Sequence, residues 1–222
     1  MTSSRWHAHG NVYLVAETGE YVMDPELDGV MQILEIDGDD VTVAIVNPDG
    51  SLAEMSGNGT RIAARWLAER TGAEQVSVQV GEREVQATML GGQLVEQDLG
   101  TFKVGRPELV DGIRLTTVDV GNPHAVVDGD PADLPRIGPL LETHLRFPQR
   151  TNVQVARRAG DELEARVWER GVGETASSGS SAVAIAAAFG AEAVTVRFPG
   201  GPLDVRLADG RAFLTGPAER SD

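Results

Sequence analysis

Two serines stand directly ahead of polar turns that open apolar helices: Ser56 in "SGNGTRIAARWL" and Ser178 in "SGSSAVAIAAAF". The first N–H groups of a helix have no intrahelical partner and lie at the positive end of the helix dipole, so each turn suits an anion. The donors would be the backbones of Gly57 and Asn58 in one turn, and of Gly179 and Ser180 in the other. Neither turn carries a Walker or dinucleotide fingerprint, and a carboxylate fits them better than a phosphate. If the two termini face each other, a small carboxylate held between them has Ser56 on one side and Ser178 on the other. Taken singly, each serine reads as an ordinary N-cap. The matched pair points to chemistry.

The elements that must position these turns repeat along the chain. "GAEQVSVQV" from Gly72 returns as "GAEAVTVRF" from Gly190, each copy preceded by one of the two helices and followed by a turn and an alternating strand, "REVQATM" or "GPLDVRL". Such self-similarity is the mark of a duplication. The strands "DVTVAIVN" and "EARVWER" alternate, or run apolar, as sheet strands packed on a helix should. The expected fold is therefore α/β (α+β): two similar domains, each a mixed sheet around a central helix, with the site in the cleft between them. Pro and Gly in "VGRPELVDG" place the join near residues 104–112, giving domains 1–108 and 109–222, with the last strand free to return to the first.

Composition removes several classes of function. The 222 residues include no cysteine, which excludes disulfides, thiolate metal ligands and thiol catalysis. The net charge of −15 opposes nucleic acid, and no basic stripe overrides it. No apolar run is long enough for a membrane span and the N-terminus lacks a signal-like apolar core, so a cytoplasmic protein is expected. Lys103 is the only lysine and sits in a strand-like stretch, which argues against a pyridoxal-phosphate Schiff base. His7, His9 and His144 show no metal-ligand spacing, and no metal site is expected.

A series of segments then resembles the diaminopimelate epimerase family over nearly the whole chain: "HGNVYLV" at 9–15, "NPDGSLAEMSGNGTR" at 47–61, "GNPHAVV" at 121–127, "RTNV" at 150–153 and "WERGVGETASSGS" at 168–180. Any one alone is weak; their joint order is specific. The resemblance implies a cofactor-independent amino-acid epimerase, usually dimeric, with a small-molecule amino-acid substrate. In that family one cysteine thiolate removes the α-proton and a second cysteine protonates the opposite face. Those two positions are Ser56 and Ser178. The resemblance places Asn11, Asn47, Asn122, Asn152, Glu169 and Arg170 on the rest of the substrate, with His124 and Glu169 tuning the two acid–base groups. Read without the resemblance, Asn47 is at home as a turn residue, His124 as a core histidine and Arg170 as an ion-pair partner.

The departures from the family bear directly on mechanism. A serine hydroxyl is several units less acidic than a thiol of pKa about 8.5, and each unit adds about 1.4 kcal/mol if the alkoxide must form. Serine serves as a base only if His124 or Glu169 accepts its proton. Ser177 and Ser181 replace a small apolar residue and a glycine, and Ile62 stands where a further cysteine is common, which favours natural divergence over two deliberate Cys→Ser changes. The segment from Glu17 to Asp28 is abbreviated, which loosens the assignment of the substrate side chain. Three readings follow: an epimerase of the diaminopimelate type, a catalytically silent amino-acid-binding relative, and a one-base isomerase or lyase.

Overall fold

The structure, a computed structural model, describes residues 3–17, 21–53 and 56–221. Residues 18–20 of the abbreviated segment, and Glu54 and Met55 of the motif before Ser56, lie outside them. The chain forms two compact units: one runs to Asp98 and resumes at Thr215, and the other spans Leu99–Leu214.

In the first unit β1 (Ser3–Ala8) and β2 (Asn11–Ala16) form an antiparallel hairpin, turned by His9 and Gly10 at positive φ. β3 (Gly29–Asp37) joins β2 in parallel, and β4 (Asp40–Val46) joins β3 antiparallel. Helix α1 (Gly57–Thr71) crosses to β5 (Gln75–Val80), which lies parallel to β4 and is followed by β6 (Arg83–Met89) and β7 (Leu94–Thr101), antiparallel in turn. Alternation sends Tyr13, Val15, Val43, Ile45, Val76 and Val78 to one face of these strands. There they pack on Ile62, Ala63, Trp66 and Leu67 of α1. The helix stops where Gly72 turns left-handed (φ 78°) and donates its N–H to Ala68 O.

The second unit repeats those pairings. β8 (Lys103–Val104) and β9 (Glu108–Val110) are short strands beside β10 (Ile113–Asp119). β10 and β11 (Pro123–Asp128) pair antiparallel, β12 (Asn152–Ala159) follows in parallel, and β13 (Glu162–Glu169) returns antiparallel. After β14 (Gly173–Thr175), helix α2 (Gly179–Ala188) leads to β15 (Ala193–Phe198), parallel to β13, with β16 (Gly201–Ala208) antiparallel beside it. α2 is apolar on every side, as a helix enclosed by its own sheet must be. Ala182, Val183, Ile185 and Ala186 are all buried in the core.

The two units differ at the crossover between the hairpin and the next parallel strand. In the second unit it carries a helix, α3 (Leu134–Glu142), whose Leu134, Ile137 and Leu141 cover Leu115, Val127, Val153 and Val155. In the first unit the corresponding link is the abbreviated segment, from which Tyr21, Met23 and Leu27 pack on Ala16, Val30 and Val46.

The expected join at 108/109 falls instead at the start of β9. The division comes earlier, after Asp98, because Leu99 and Phe102 pack into the core of the second unit. The chain passes back within β17 (Arg211–Pro217), and β18 (Glu219–Arg220) pairs with β1. No helix among the described residues is long and apolar enough to cross a membrane.

Candidate active site

In the first unit Ser56 is the N-cap of α1. Its extended backbone (φ −138°, ψ 116°) lets Oγ accept from Gly59 N–H at 3.0 Å. Glycine at 59 gives the turn its room: a Cβ there would lie 2.8 Å from Ile45 Cδ1 and 3.3 Å from Ser56 Oγ, so the Ile45 tip would have to shift. The cap expected for a lone serine is therefore present, but Ser56 has a second neighbour. The buried Tyr13 hydroxyl lies 3.1 Å from Ser56 Oγ, and either group can donate. The ring reaches that position across Gly29, its partner in the β2–β3 register, where a Cβ would come within 2.9 Å of it.

Behind the turn, Arg61 is fully buried. Its guanidinium donates to Asn58 Oδ1, Gly57 O and Pro217 O, all neutral acceptors. Burial pulls its pKa down to about 10, while the Tyr13 oxygen favours the charged form. Asn58 passes the chain of hydrogen bonds outward, donating from Nδ2 to Asn11 Oδ1. Asn11 is thus positioned by Arg61 through Asn58. Asn47 stays in its own turn, where Nδ2 donates to Ser51 Oγ at 3.0 Å, as its turn-residue reading has it.

The second unit treats its serine differently. Ser178 has the same extended cap backbone (φ −148°, ψ 126°) but makes no side-chain cap hydrogen bond. The Glu169 carboxyl, at the end of β13, accepts from Thr175 Oγ1. Burial holds it above the usual carboxylate range, against the stabilising influence of the Thr175 and Ser178 hydroxyls. Ser178 therefore has a carboxyl beside it.

His124 is buried, with Nε2 2.9 Å from Asn122 Oδ1 and Nδ1 2.9 Å from Gln154 Nε2. With the Gln154 amide donating to Nδ1, the ring carries its proton on Nε2 and both nitrogens are occupied. Burial lowers its pKa to about 3, partly offset by the Gln154 hydrogen bond and reinforced by Arg170. Gln154 also donates to the buried Ser181 hydroxyl at 3.0 Å, which gives that departure a structural role. Asn152 ties two backbone segments, donating to Pro123 O and accepting from Arg170 N–H, and Arg170 itself donates to Gln149 O. The loop after Glu169 is held by the buried Glu142, which accepts from Trp168 Nε1 and from Gly171 N–H, each at 2.8 Å, and from Arg150.

Tyr13, Arg61, Gln154 and Glu142 were not among the expected site residues. Two were findable in part: Tyr13 lies in "HGNVYLV" and Arg61 closes "SGNGTR", both quoted motifs. Gln154 and Glu142 carry no local signal. Among the described residues no group of three or more His, Asp or Glu side chains is placed to hold a metal ion.

These contacts set an expected acid response. Glu142 is held below the usual carboxylate range: burial alone would raise it, but Trp168, Gly171 and Arg150 together outweigh burial. Its stabilisation is complete above the unfolded value and lost as pH falls through the folded one. His124 acts in the same sense from higher pH, because the unfolded ring gains a proton near 6.5 while the folded ring stays neutral to about 3. Glu169, held high, works the opposite way. Urea midpoints should therefore fall from pH 7 to 4, and His124→Gln should flatten the part of the fall above pH 5. The His124 ring resonances should not titrate between pH 5 and 8; a titration there would contradict the buried neutral ring.

The sequence was compared with known proteins. The family model described as diaminopimelate epimerase matches residues 116–221. The diaminopimelate epimerase of Synechococcus elongatus is 36% identical over 265 residues, covering 97% of this chain and 94% of the relative. The chain belongs to the diaminopimelate epimerase family. The enzyme of Synechocystis is 33% identical over 271 residues, covering 99% of this chain and 96% of its own. These alignments exceed the 222 residues of this chain, so its relatives carry residues that it lacks. Among solved structures, a predicted epimerase from Pseudomonas aeruginosa superposes with TM-score 0.76 at 16% identity, covering 99% and 96% of the two chains. A hydroxyproline epimerase from Agrobacterium vitis superposes at 0.74 and 16%, covering 99% and 90%. At those identities the likeness is one of fold. Family membership makes the chain an isomerase of the racemase and epimerase type.

Proposed function

We propose that this protein epimerises the α-carbon of diaminopimelate, or of a close amino-acid relative, without a cofactor, in the synthesis of lysine and peptidoglycan precursors. On this reading Ser56 and Ser178 serve the two faces of one substrate carbon. The N-termini of α1 and α2 hold its α-carboxylate. The observation that supports the reading is the placement of the Glu169 carboxyl, held by Thr175, near Ser178. It gives a hydroxyl of low acidity an adjacent carboxyl, which takes its proton when the hydroxyl removes one from carbon. Glu169 also lies beside Thr175, so its protonated and ionised forms both keep a partner. His124, with both nitrogens engaged, orders Asn122 and Gln154 and leaves proton transfer to the serines.

The electrostatic part of the reading rests on the same residues. Removing an α-proton builds negative charge on the substrate carboxylate, and unpaired helix N–H groups are fixed donors for that charge. The protein is further read as a cytoplasmic homodimer, which sedimentation would check. The decisive assay is incubation of the protein with LL- or meso-diaminopimelate in D2O. Two-base epimerisation places deuterium in the epimerised product, and one-base chemistry exchanges with retention. A silent binding relative, the reading that two serines at cysteine positions favour, binds the amino acid and exchanges nothing.

A further inference from the structure

We propose that Tyr13 is the proton store behind Ser56, the counterpart in the first unit of Glu169 behind Ser178; this rests on the epimerase reading above. Three observations place it there. The Tyr13 hydroxyl is 3.1 Å from Ser56 Oγ, within reach of direct proton transfer. The ring is fixed rather than loosely packed, since it lies over Gly29 within the core of the unit. Arg61 is a fully buried cation whose acceptors among the described residues are all neutral, and it lies within electrostatic reach of the phenol oxygen. A phenol that loses its proton there leaves an anion near that buried cation and near the positive end of α1.

Proton transfer then balances without any further reactant. In the abstraction direction the Cα–H bond breaks and its electron pair stays on carbon, delocalised into the carboxylate. Ser56 Oγ gains that hydrogen while its own proton passes to the Tyr13 phenolate. In the donation direction the neutral phenol gives its proton to Oγ as Oγ gives its proton to the carbanion, and the phenolate is restored. Tyr13 acts through Ser56 throughout; it never needs to touch the substrate. The hydrogen bond from Gly59 N–H keeps Ser56 Oγ aimed while its proton changes hands.

The pair of stores is asymmetric. One working state of the site has a carboxylate behind Ser178 and a neutral phenol behind Ser56. That state abstracts through Ser178 and donates through Ser56. The opposite direction uses the other tautomer, with a neutral carboxyl and a phenolate. Loss of Tyr13 alone should thus disable one face of the carbon and spare the other.

Tyr13→Phe keeps the ring over Gly29 and removes only the hydroxyl. It should lower epimerisation of diaminopimelate by on the order of 10²-fold or more. The variant should still exchange the α-hydrogen of one stereoisomer for deuterium with retention, through Ser178 and Glu169. Adding Ser56→Cys to Tyr13→Phe should restore epimerisation, because a thiol of pKa about 8.5 needs no store behind it. Epimerisation by Tyr13→Phe at the parent rate would overturn the proposal. So would equal loss of exchange from both stereoisomers with no rescue by cysteine, the signature of a packing defect. A parent protein that binds diaminopimelate but exchanges neither isomer overturns the epimerase reading itself, and this proposal with it.

Discussion

Ser56→Cys combined with Ser178→Cys is expected to raise the epimerisation rate by on the order of 10²-fold or more over the parent. The cause is acidity. A thiol of pKa about 8.5 supplies some thiolate at neutral pH, whereas a serine alkoxide lies several units higher at about 1.4 kcal/mol per unit. Proton stores such as Glu169 reduce that gap without closing it, because the hydroxyl must still be nearly deprotonated as the C–H bond breaks. Each single variant should gain far less, since every turnover needs a base on one face and an acid on the other. Ser56→Cys also replaces a good cap acceptor with a weak one at Gly59 N–H. That should cost roughly 1 kcal/mol of stability. Ser178 makes no cap bond, so Ser178→Cys should be close to neutral in a urea titration. Circular dichroism with diaminopimelate reads the rate. A double variant that binds the substrate but exchanges no α-proton would mean that the site has been rebuilt beyond its two serines.

The duplication was legible because the same local physics recurs in both halves. Gly72 and Gly190 both take positive φ at the end of a helix, and the strands after them alternate in the same phase. What the repeat did not disclose is where the units differ. α3 gives a mixed local signal: Leu134, Ile137 and Leu141 recur at helical spacing and Pro135 suits a first turn, but Pro139 lies inside the nine residues. Gly138 is needed there because a Cβ would come within 2.9 Å of the Trp168 ring. The join was misplaced for a similar reason. Pro and Gly in residues 104–112 mark turns between short strands of one unit, while the true passage lies inside the unbroken strand β7.

The motifs picked out the neighbourhoods of the site and left the wiring within them unread. Ser56 and Ser178 look alike in sequence, yet one caps its helix and the other makes no cap bond and lies near Glu169. Which of these occurs depends on whether a carboxyl reaches the turn from β13, and helix periodicity carries no trace of that. The Tyr13–Ser56 contact spans 43 residues, and Gln154 meets His124 across 30. Both arise from strand register, which a single sequence does not reveal. Asn47 carries both of its readings: Nδ2 donates to Ser51 Oγ within the turn, and a single amide hydrogen bond leaves capacity for the substrate contact that its family position implies.

Arg61 provides the sharpest separation of stability from function. Arg61→Ala should destabilise the fold by about 3 kcal/mol or more, since it empties the volume of a fully buried long side chain and strips Asn58 Oδ1 of one donor. Arg61→Met refills most of that volume. It still removes one donor to Asn58 Oδ1, but it also removes a cation that costs energy to bury, consistent with a pKa pulled down to about 10. Gly57 O keeps the Gln97 amide as a donor, so few acceptors are orphaned. The methionine variant should therefore lie within about 1–2 kcal/mol of the parent in urea midpoint at unchanged slope. Its activity should nevertheless fall by on the order of 10²-fold, because Asn58 and Asn11 lose their anchor and Tyr13 loses its cation. A methionine variant that is stable and fully active would show that the buried charge serves packing alone, and would remove Arg61 from the site.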